Sequence, residues 1–400
     1  MMGFIVGLLL SVGATSPDAL QASLARRGIP EGAVVVAFES TPQIREFALD
    51  AVRGATDGAS RAHRLYAALL ALKRSGAIAG DRDNAPKERP PKSAAEVMRL
   101  AEDPAAADKK AGCYELSALY VAAARSVGLD AMGVEREASV GTGQIGHIIA
   151  GVHVEVGGRL TLFDLQNEVA GSLGHVRELD DLEFAAHYYN HLAVAAYLRG
   201  TLKEALITID YALLLAPESA SFLNNRATIL GALDEPILAV AEVVRAVELA
   251  PDVPLYRYQL GRLYLVLGDV DSAVTALRQA LELWPRYSLA RRDLGWAYLL
   301  GNDVTVAERE LRRALREDPS TPSIGLYLGL CLLSQGRRQE ACGVAERGLM
   351  QRPRDSSLTA LVGLCNDRAV GVRTEETAEL GSVLERVAIA QARARASAPR

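Results

Sequence analysis

Between His147 and Val156 apolar and polar positions alternate. Ile148, Ala150, Val152, Val154 and Val156 fall on one side, and His147, Ile149, Gly151, His153 and Glu155 on the other. A period of two predicts a strand with one apolar face. Upstream the period is helical. Leu116, Leu119, Ala123 and Val127 recur at three or four residues, which predicts a helix with a buried stripe, ended by Gly128. The stretch "SRAHRLYAALLALKRSG" is a second amphipathic helix. Thr41-Pro42 marks a helix start with proline in the first turn, and Ser93-Ala-Ala-Glu96 fits a capping box before "VMRLAED". The polar, proline-rich "GDRDNAPKERPPK" separates these last two as a loop. Residues 17–180 are thus expected to form an α+β domain, helices first and strands after.

Beyond residue 180 the punctuation changes. Prolines stand at 217, 251, 285, 319 and 353, a period of 34. Five positions before them come Ala212, Ala246, Ala280, Ala314 and Gly348; twelve before come Ala205, Ala239, Ala273, Ala307 and Ala341. Each unit is expected to be a pair of antiparallel helices, with small residues at their close approach and proline ending the second helix. Gly261, Gly295 and Gly329 serve that approach in the first helix, where Ala193 and Ala227 stand in the first two units. With "LGRLYLVLGDVDSAVTALRQALELWP" and "LGWAYLLGNDVTVAERELRRALREDP", residues 184–356 resemble five tetratricopeptide repeats, an all-α solenoid. The resemblance implies a groove that holds a peptide or partner protein. Asn190, Asn224, Tyr258, Arg262, Arg292 and Trp296 are expected to point toward it, with ordinary packing as the competing reading for each. Residues 357–400, including "SLTALVGLCNDRA", are expected to supply capping helices and a frayed tail.

The 400 residues carry a net charge of −5 and a pI near 5.8, with no basic block, which gives no reason to expect nucleic acid as a partner. Residues 1–16 contain an apolar run, Phe4 to Val12, that is too short to span a bilayer. It reads as a signal peptide, with Val12 and Ala14 placed like the last positions before a cut, although no lysine or arginine precedes it. Export to the periplasm or exterior would follow. A misassigned start or a buried first element is the competing reading, with a cytoplasmic location. A membrane span is expected only if this segment is retained.

Of four cysteines, Cys331, Cys342 and Cys365 fall on apolar helix faces as small hydrophobes. The four form no metal-ligand spacing with the six histidines, so neither a metal nor a cofactor is expected. Cys113 differs because it opens a helix behind Lys109, Lys110 and Gly112. The free N–H groups there, the helix dipole and the lysines all favour the thiolate, and the same N–H groups suit an oxyanion. A thiolate nucleophile needs an acid-base partner and a group to orient it. The next hairpin offers both. With a two-residue turn at Gly157-Gly158, Val156 lies opposite Arg159 and Gly151 opposite Asp164. His147, His153 and Asp164 then share one face, with His153 diagonally nearer to Asp164.

The order of cysteine in "AGCYELSALYVAAARSVGLDA", histidine in "GHIIAGVHVEV" and aspartate in "RLTLFDLQN" resembles the transglutaminase-like superfamily of papain-type cysteine enzymes. The resemblance covers roughly residues 41–167. It implies Cys113 as nucleophile, His147 as general base and acid, and Asp164 as the residue orienting the imidazole. His147 is preferred to His153 because the family's histidine begins its strand after a mobile loop, here "EASVGTGQIG". Many members carry an aromatic residue two positions after the histidine; this chain has Ile149. No acidic cluster suggests a calcium site.

The function that follows is acyl transfer or hydrolysis on a peptide or side-chain amide, peptidase-like or deamidase-like, with the repeats recruiting a protein partner. The alternative is an inert transglutaminase-like fold acting with the repeats as an interaction scaffold.

Overall fold

The computed structural model describes residues 17–30, 33, 35–80, 89–136, 147–154, 160–171, 176–321 and 323–365. The expected signal peptide, the loop before His147, the Gly157-Gly158 turn, most of the proline-rich loop and the tail beyond 365 lie outside them. The chain divides into two compact units, the first running to Leu233 and the second beginning at Asp234.

The first unit opens with α1 (Pro17–Arg26), α2 (Pro42–Ala51), α3 (Gly58–Arg74), β1 (Ala79–Gly80), α4 (Ala94–Glu102), β2 (Lys110–Ala111) and α5 (Cys113–Ser126). The helix starts are where their caps require. Thr41 accepts a hydrogen bond from the Ile44 N–H at 3.3 Å, Asp57 from Ser60 at 2.7 Å and Ser93 from Glu96 at 3.3 Å. Short β1 and β2 pair in parallel and bring the chain to the start of α5.

A five-stranded sheet follows: β3 (Asp130–Arg136), β4 (His147–His153), β5 (Leu160–Asp164), β6 (Val169–Gly171) and β7 (Val176–Glu178). The strands are antiparallel throughout, in the order β6-β5-β4-β3-β7. Against one face lies α5, with α2, α3 and α4 on its other side. This double cover changes the expected stripe, because every side chain from Tyr114 to Ala124 is buried. Alanines and Ser117 on this helix leave room for close neighbours, and Tyr120 stacks on Phe163 of β5 at 4.9 Å while its hydroxyl donates to the Ala62 carbonyl at 2.9 Å. Ile148, Ala150 and Val152 join this core; Ile149 instead joins Met132, Val134 and Leu162 in a smaller cluster. Strand β4 is therefore apolar on both faces.

The hairpin register also differs from the expected one. Gly151 pairs with Leu162, and His153 with Leu160. The pairing is displaced by two residues, which keeps each side chain on its expected face but slides Asp164 along the sheet toward His147.

Three helices, α6 (Asp181–Leu198), α7 (Leu202–Leu215) and α8 (Ala220–Ala232), complete this unit. They share its core rather than standing apart as repeats. Phe184 of α6 packs against Gly133 of β3, where a side chain would collide with its ring, and stacks on Phe38 at 4.8 Å. Tyr189 accepts from the Val35 N–H at 3.0 Å and donates to the Ala33 carbonyl at 2.9 Å.

The second unit contains α9 (Pro236–Leu249), α10 (Pro254–Leu267), α11 (Val270–Leu283), α12 (Ser288–Leu300), α13 (Val304–Glu317), α14 (Ile324–Ser334), α15 (Arg338–Gln351) and α16 (Ser356–Cys365). Each 34-residue proline stands two positions after a helix end: Pro251 after α9, Pro285 after α11, Pro319 after α13 and Pro353 after α15. Gly261 and Gly295 show why their positions stay small. A β-carbon on Gly261 would lie 2.6 Å from Leu277 Cγ, and one on Gly295 2.5 Å from Leu311 Cγ, so successive repeats use one contact. Cys331 is fully buried and Cys342 packs at the edge of the same cluster, as small hydrophobes should. The side chain of Cys365 lies outside the described residues.

Candidate active site

Cys113 begins α5, and its N-cap is Gly112. A serine or aspartate there would turn a side-chain oxygen onto the first N–H groups; glycine has none, so those donors stay open to an incoming anion. Glu115, two residues on, takes up the Gly112 N–H itself. Its carboxylate is 4 % exposed and is gripped by Arg89 at 2.6 and 2.9 Å and by the Lys92 N–H at 2.8 Å. Burial works against its charge, but these donors outweigh it and hold the carboxyl below the ordinary range. The 89–92 segment is thereby tied to the start of the cysteine helix. Lys92 Nζ bonds Asp108 at 2.7 Å and the Lys110 carbonyl at 3.0 Å, binding the approach to Gly112 into the same network.

The hydroxyl of Ser117 ties this turn to β4. It lies 2.7 Å from the Cys113 carbonyl and 3.1 Å from the Ile148 carbonyl. His147 is the first residue of β4, and its imidazole hydrogen-bonds Asp164, with Cys113 near enough to act on the charge of the ring. The Asp164 contact is 2.8 Å, from His147 Nε2 to Oδ2. Asp164 is 3 % exposed. Burial raises its pKa, but the bonds from His147 and from the Asn167 backbone and side chain prevail and hold it below the ordinary value. For His147, burial alone would lower the pKa; the partners Asp164 and Cys113 reverse this and push it up to about 10.

Of the two candidate histidines, the structure brings His147 to Asp164. His153 stands at the other end of β4 and contacts Glu178 of β7 at 3.2 Å. The two-residue register displacement accounts for the diagonal that favoured His153. Lys110 is exposed and Lys109 half-buried, with the Lys109 carbonyl accepting from Ala79. Glu115, Arg89, Ser117 and Asn167 went unnoticed in sequence. The one available signal was Glu115, an acid in a helix's first turn inside an otherwise apolar run.

The expected groove residues separate by unit. In the first, Asn190 accepts from Asn225 at 2.8 Å, while Asn224 is buried and its side-chain oxygen has no partner among the described residues. The offset arises because Asn225, one position on, carries the contact. In the second unit, Tyr258 is buried rather than pointing free, with exposed Arg262 over its ring at 5.8 Å. Arg292 lies over Tyr327 at 5.8 Å, Trp296 stacks on the same Tyr327 at 4.7 Å, and Asp293 accepts from Arg292 Nε at 2.7 Å. Arg262, Arg292 and Trp296 thus share a cationic and aromatic patch.

Residues 258–322 and 301–356 match the family model of the tetratricopeptide repeat. This stretch is a tetratricopeptide-repeat array. The chain is similar to the inactive TPR repeat-containing thioredoxin TTL3 of Arabidopsis thaliana, 39% identical over 76 residues, which are 19% of this chain and 11% of that protein. It therefore spans about a tenth of that relative's length. Among solved structures it is similar to a thermophilic tetratricopeptide-repeat protein of Thermus thermophilus, with 25% identity, a TM-score of 0.41, and 45% of this chain and 98% of that one covered. It is also similar to pilF of Pseudomonas aeruginosa, with 21% identity, a TM-score of 0.41, and 54% and 99% covered. Among the described residues no helix is long and apolar enough to cross a membrane.

Proposed function

We propose that the first unit is a transglutaminase-like, papain-type domain carrying out thiol-dependent acyl transfer, with the tetratricopeptide repeats recruiting a protein or peptide partner. The observation that carries this reading is His147 at the start of β4, hydrogen-bonded to the buried Asp164 carboxylate and within electrostatic reach of Cys113 at the start of α5. In the reaction, the Cys113 thiolate attacks the carbonyl carbon of a peptide or side-chain amide. The resulting oxyanion is met by the open N–H groups at the start of α5. As the C–N bond breaks, the His147 imidazolium gives its proton to the departing amine, leaving a Cys113 thioester and a neutral imidazole. His147 then takes a proton from water as it attacks the thioester, and releases acid and thiolate. We favour water as the acceptor. Asp164 orients the ring and stabilises its charged form. The patch of Arg262, Arg292 and Trp296 is the proposed partner contact, because its guanidinium groups and indole offer both charge and flat apolar area.

The test is acylation by a small activated ester. With p-nitrophenyl acetate at neutral pH, peptide mapping should find an acetyl thioester on Cys113, and nitrophenol release should fall sharply in Cys113→Ala and His147→Ala. Equal acetylation of Cys342, or release untouched by both substitutions, would sink the enzymatic reading in favour of an inert scaffold.

A further inference from the structure

Asn167 is exposed, yet its polar atoms turn inward. Its backbone N–H donates to Asp164 Oδ1 at 3.0 Å and its side-chain amide donates to Oδ2 at 2.8 Å. The two bonds clamp both carboxylate oxygens in one plane. The amide nitrogen also lies 3.3 Å from His147 Nε2, so imidazole and amide converge on the same oxygen. The opposite amide orientation would turn its oxygen onto a carboxylate, which fixes the sense of the contact.

The turn that presents Asn167 is itself anchored. Lys73, at the end of α3, donates to the carbonyls of Leu165 and Gln166, each at 2.9 Å, and pairs with Glu168 at 3.2 Å. Arg74 pairs with the other Glu168 oxygen at 2.9 Å. Glu168 has φ of 58°, a conformation that a non-glycine residue holds only when its surroundings require it. Leu165 and Gln166 before Asn167 and Glu168 after it are thus pinned from α3, and the amide has little freedom to leave Asp164.

We infer that Asn167 is a positioning residue of this site: it holds the Asp164 carboxylate oriented toward His147 Nε2, and so fixes the imidazole that serves Cys113. This rests on the proposed thiol chemistry and adds a fourth member to it. The groups facing Asp164 are His147 from β4 and Tyr66 from α3, with Cys113 of α5 on the far side of the imidazole and Lys73, Arg74 and Glu168 behind the turn. The Tyr66 hydroxyl keeps its proton but has no hydrogen-bond partner among the described residues, so it does not donate to Asp164 in place of Asn167.

The test uses the full chain and follows alkylation of Cys113 by iodoacetamide as a function of pH, with Cys342 in the same molecule as reference. Asn167→Ala should move the acid limb of the Cys113 profile to higher pH and slow labelling several-fold below neutrality. Asn167→Asp, which removes the amide donor and sets a second carboxylate against both Asp164 and His147, should also shift the profile. Asn167→Gln keeps the amide but displaces it by one methylene, and should behave like Asn167→Ala. A Cys113 that outreacts Cys342 but whose profile ignores all three substitutions would overturn the role of Asn167 alone. A wild-type Cys113 no faster than Cys342 would overturn the thiol chemistry and this role with it.

Discussion

Polar groups are used differently in the two units. In the repeat array, partly exposed ion pairs join neighbours in sequence, as in Arg312 to Glu308 and Arg313 to Glu317 at one helical turn, while the buried Arg291 reaches Glu310 and Glu317 of the next helix. In the first unit, polar groups are drawn from parts of the chain as far apart as Lys73 and Glu168, at 95 residues, and the buried carboxylates Glu115 and Asp164 sit in the cysteine helix and beside His147. Local pairs stiffen a surface. A buried, convergent network costs desolvation and is tolerated only when every member is satisfied. The contrast teaches where chemistry is to be sought in this molecule: where the polar groups are few, buried and long-range.

The sharpest way to break the contrast is through Glu115. Replacing it by Ala strands the Arg89 guanidinium and removes the acceptor for the Gly112 and Lys92 N–H groups. Urea unfolding of the first unit should show a loss of about 3–5 kcal/mol, the range for breaking a buried pair. Next comes the packing of the repeats. Gly295→Val places atoms where Leu311 already stands, and should lower the second unit's stability by about 1–3 kcal/mol, seen as a lower urea midpoint for that unit.

Stability against pH gives a third comparison. Asp164 and Glu115 have depressed pKa values, so their contributions are present above the unfolded carboxyl range and are lost as pH falls through the folded values. His147 is raised, so its contribution is complete below the ordinary histidine value and is lost as pH rises toward about 10. Thermal scans should therefore show an alkaline decline that His147→Ala flattens. The smallest effect belongs to the exposed repeat pairs. Arg313→Ala should cost at most about 0.5 kcal/mol, and less in high salt.

How much of this was legible follows from the same difference. The repeats announce themselves because one packing problem is solved again every 34 residues, so proline, alanine and glycine recur in step; Gly261 and Gly295 meet their leucines identically. The cysteine helix and the strands of the first unit were readable from caps and alternation. The register was not. Strands β4 and β5 pair two residues away from the expected alignment, and that alignment put Asp164 nearer to His153, whereas the observed pairing brings it to His147. Asn167 and Arg89 were out of reach because nothing local marks them: an asparagine after a strand and an arginine in a proline-rich loop are ordinary until the fold brings Asp164 and Glu115 beside them. The expectation of separate domains meeting near residue 180 also missed that α6 buries Phe184 against Gly133.

The most direct test compares two cysteines in one molecule. At neutral pH, limiting iodoacetamide followed by peptide mapping should label Cys113 at least about tenfold faster than Cys342. His147→Ala should abolish that preference and His153→Ala should leave it unchanged. Equal labelling of Cys113 and Cys342 in the wild-type protein, or a preference that depends on His153 rather than His147, would contradict the account.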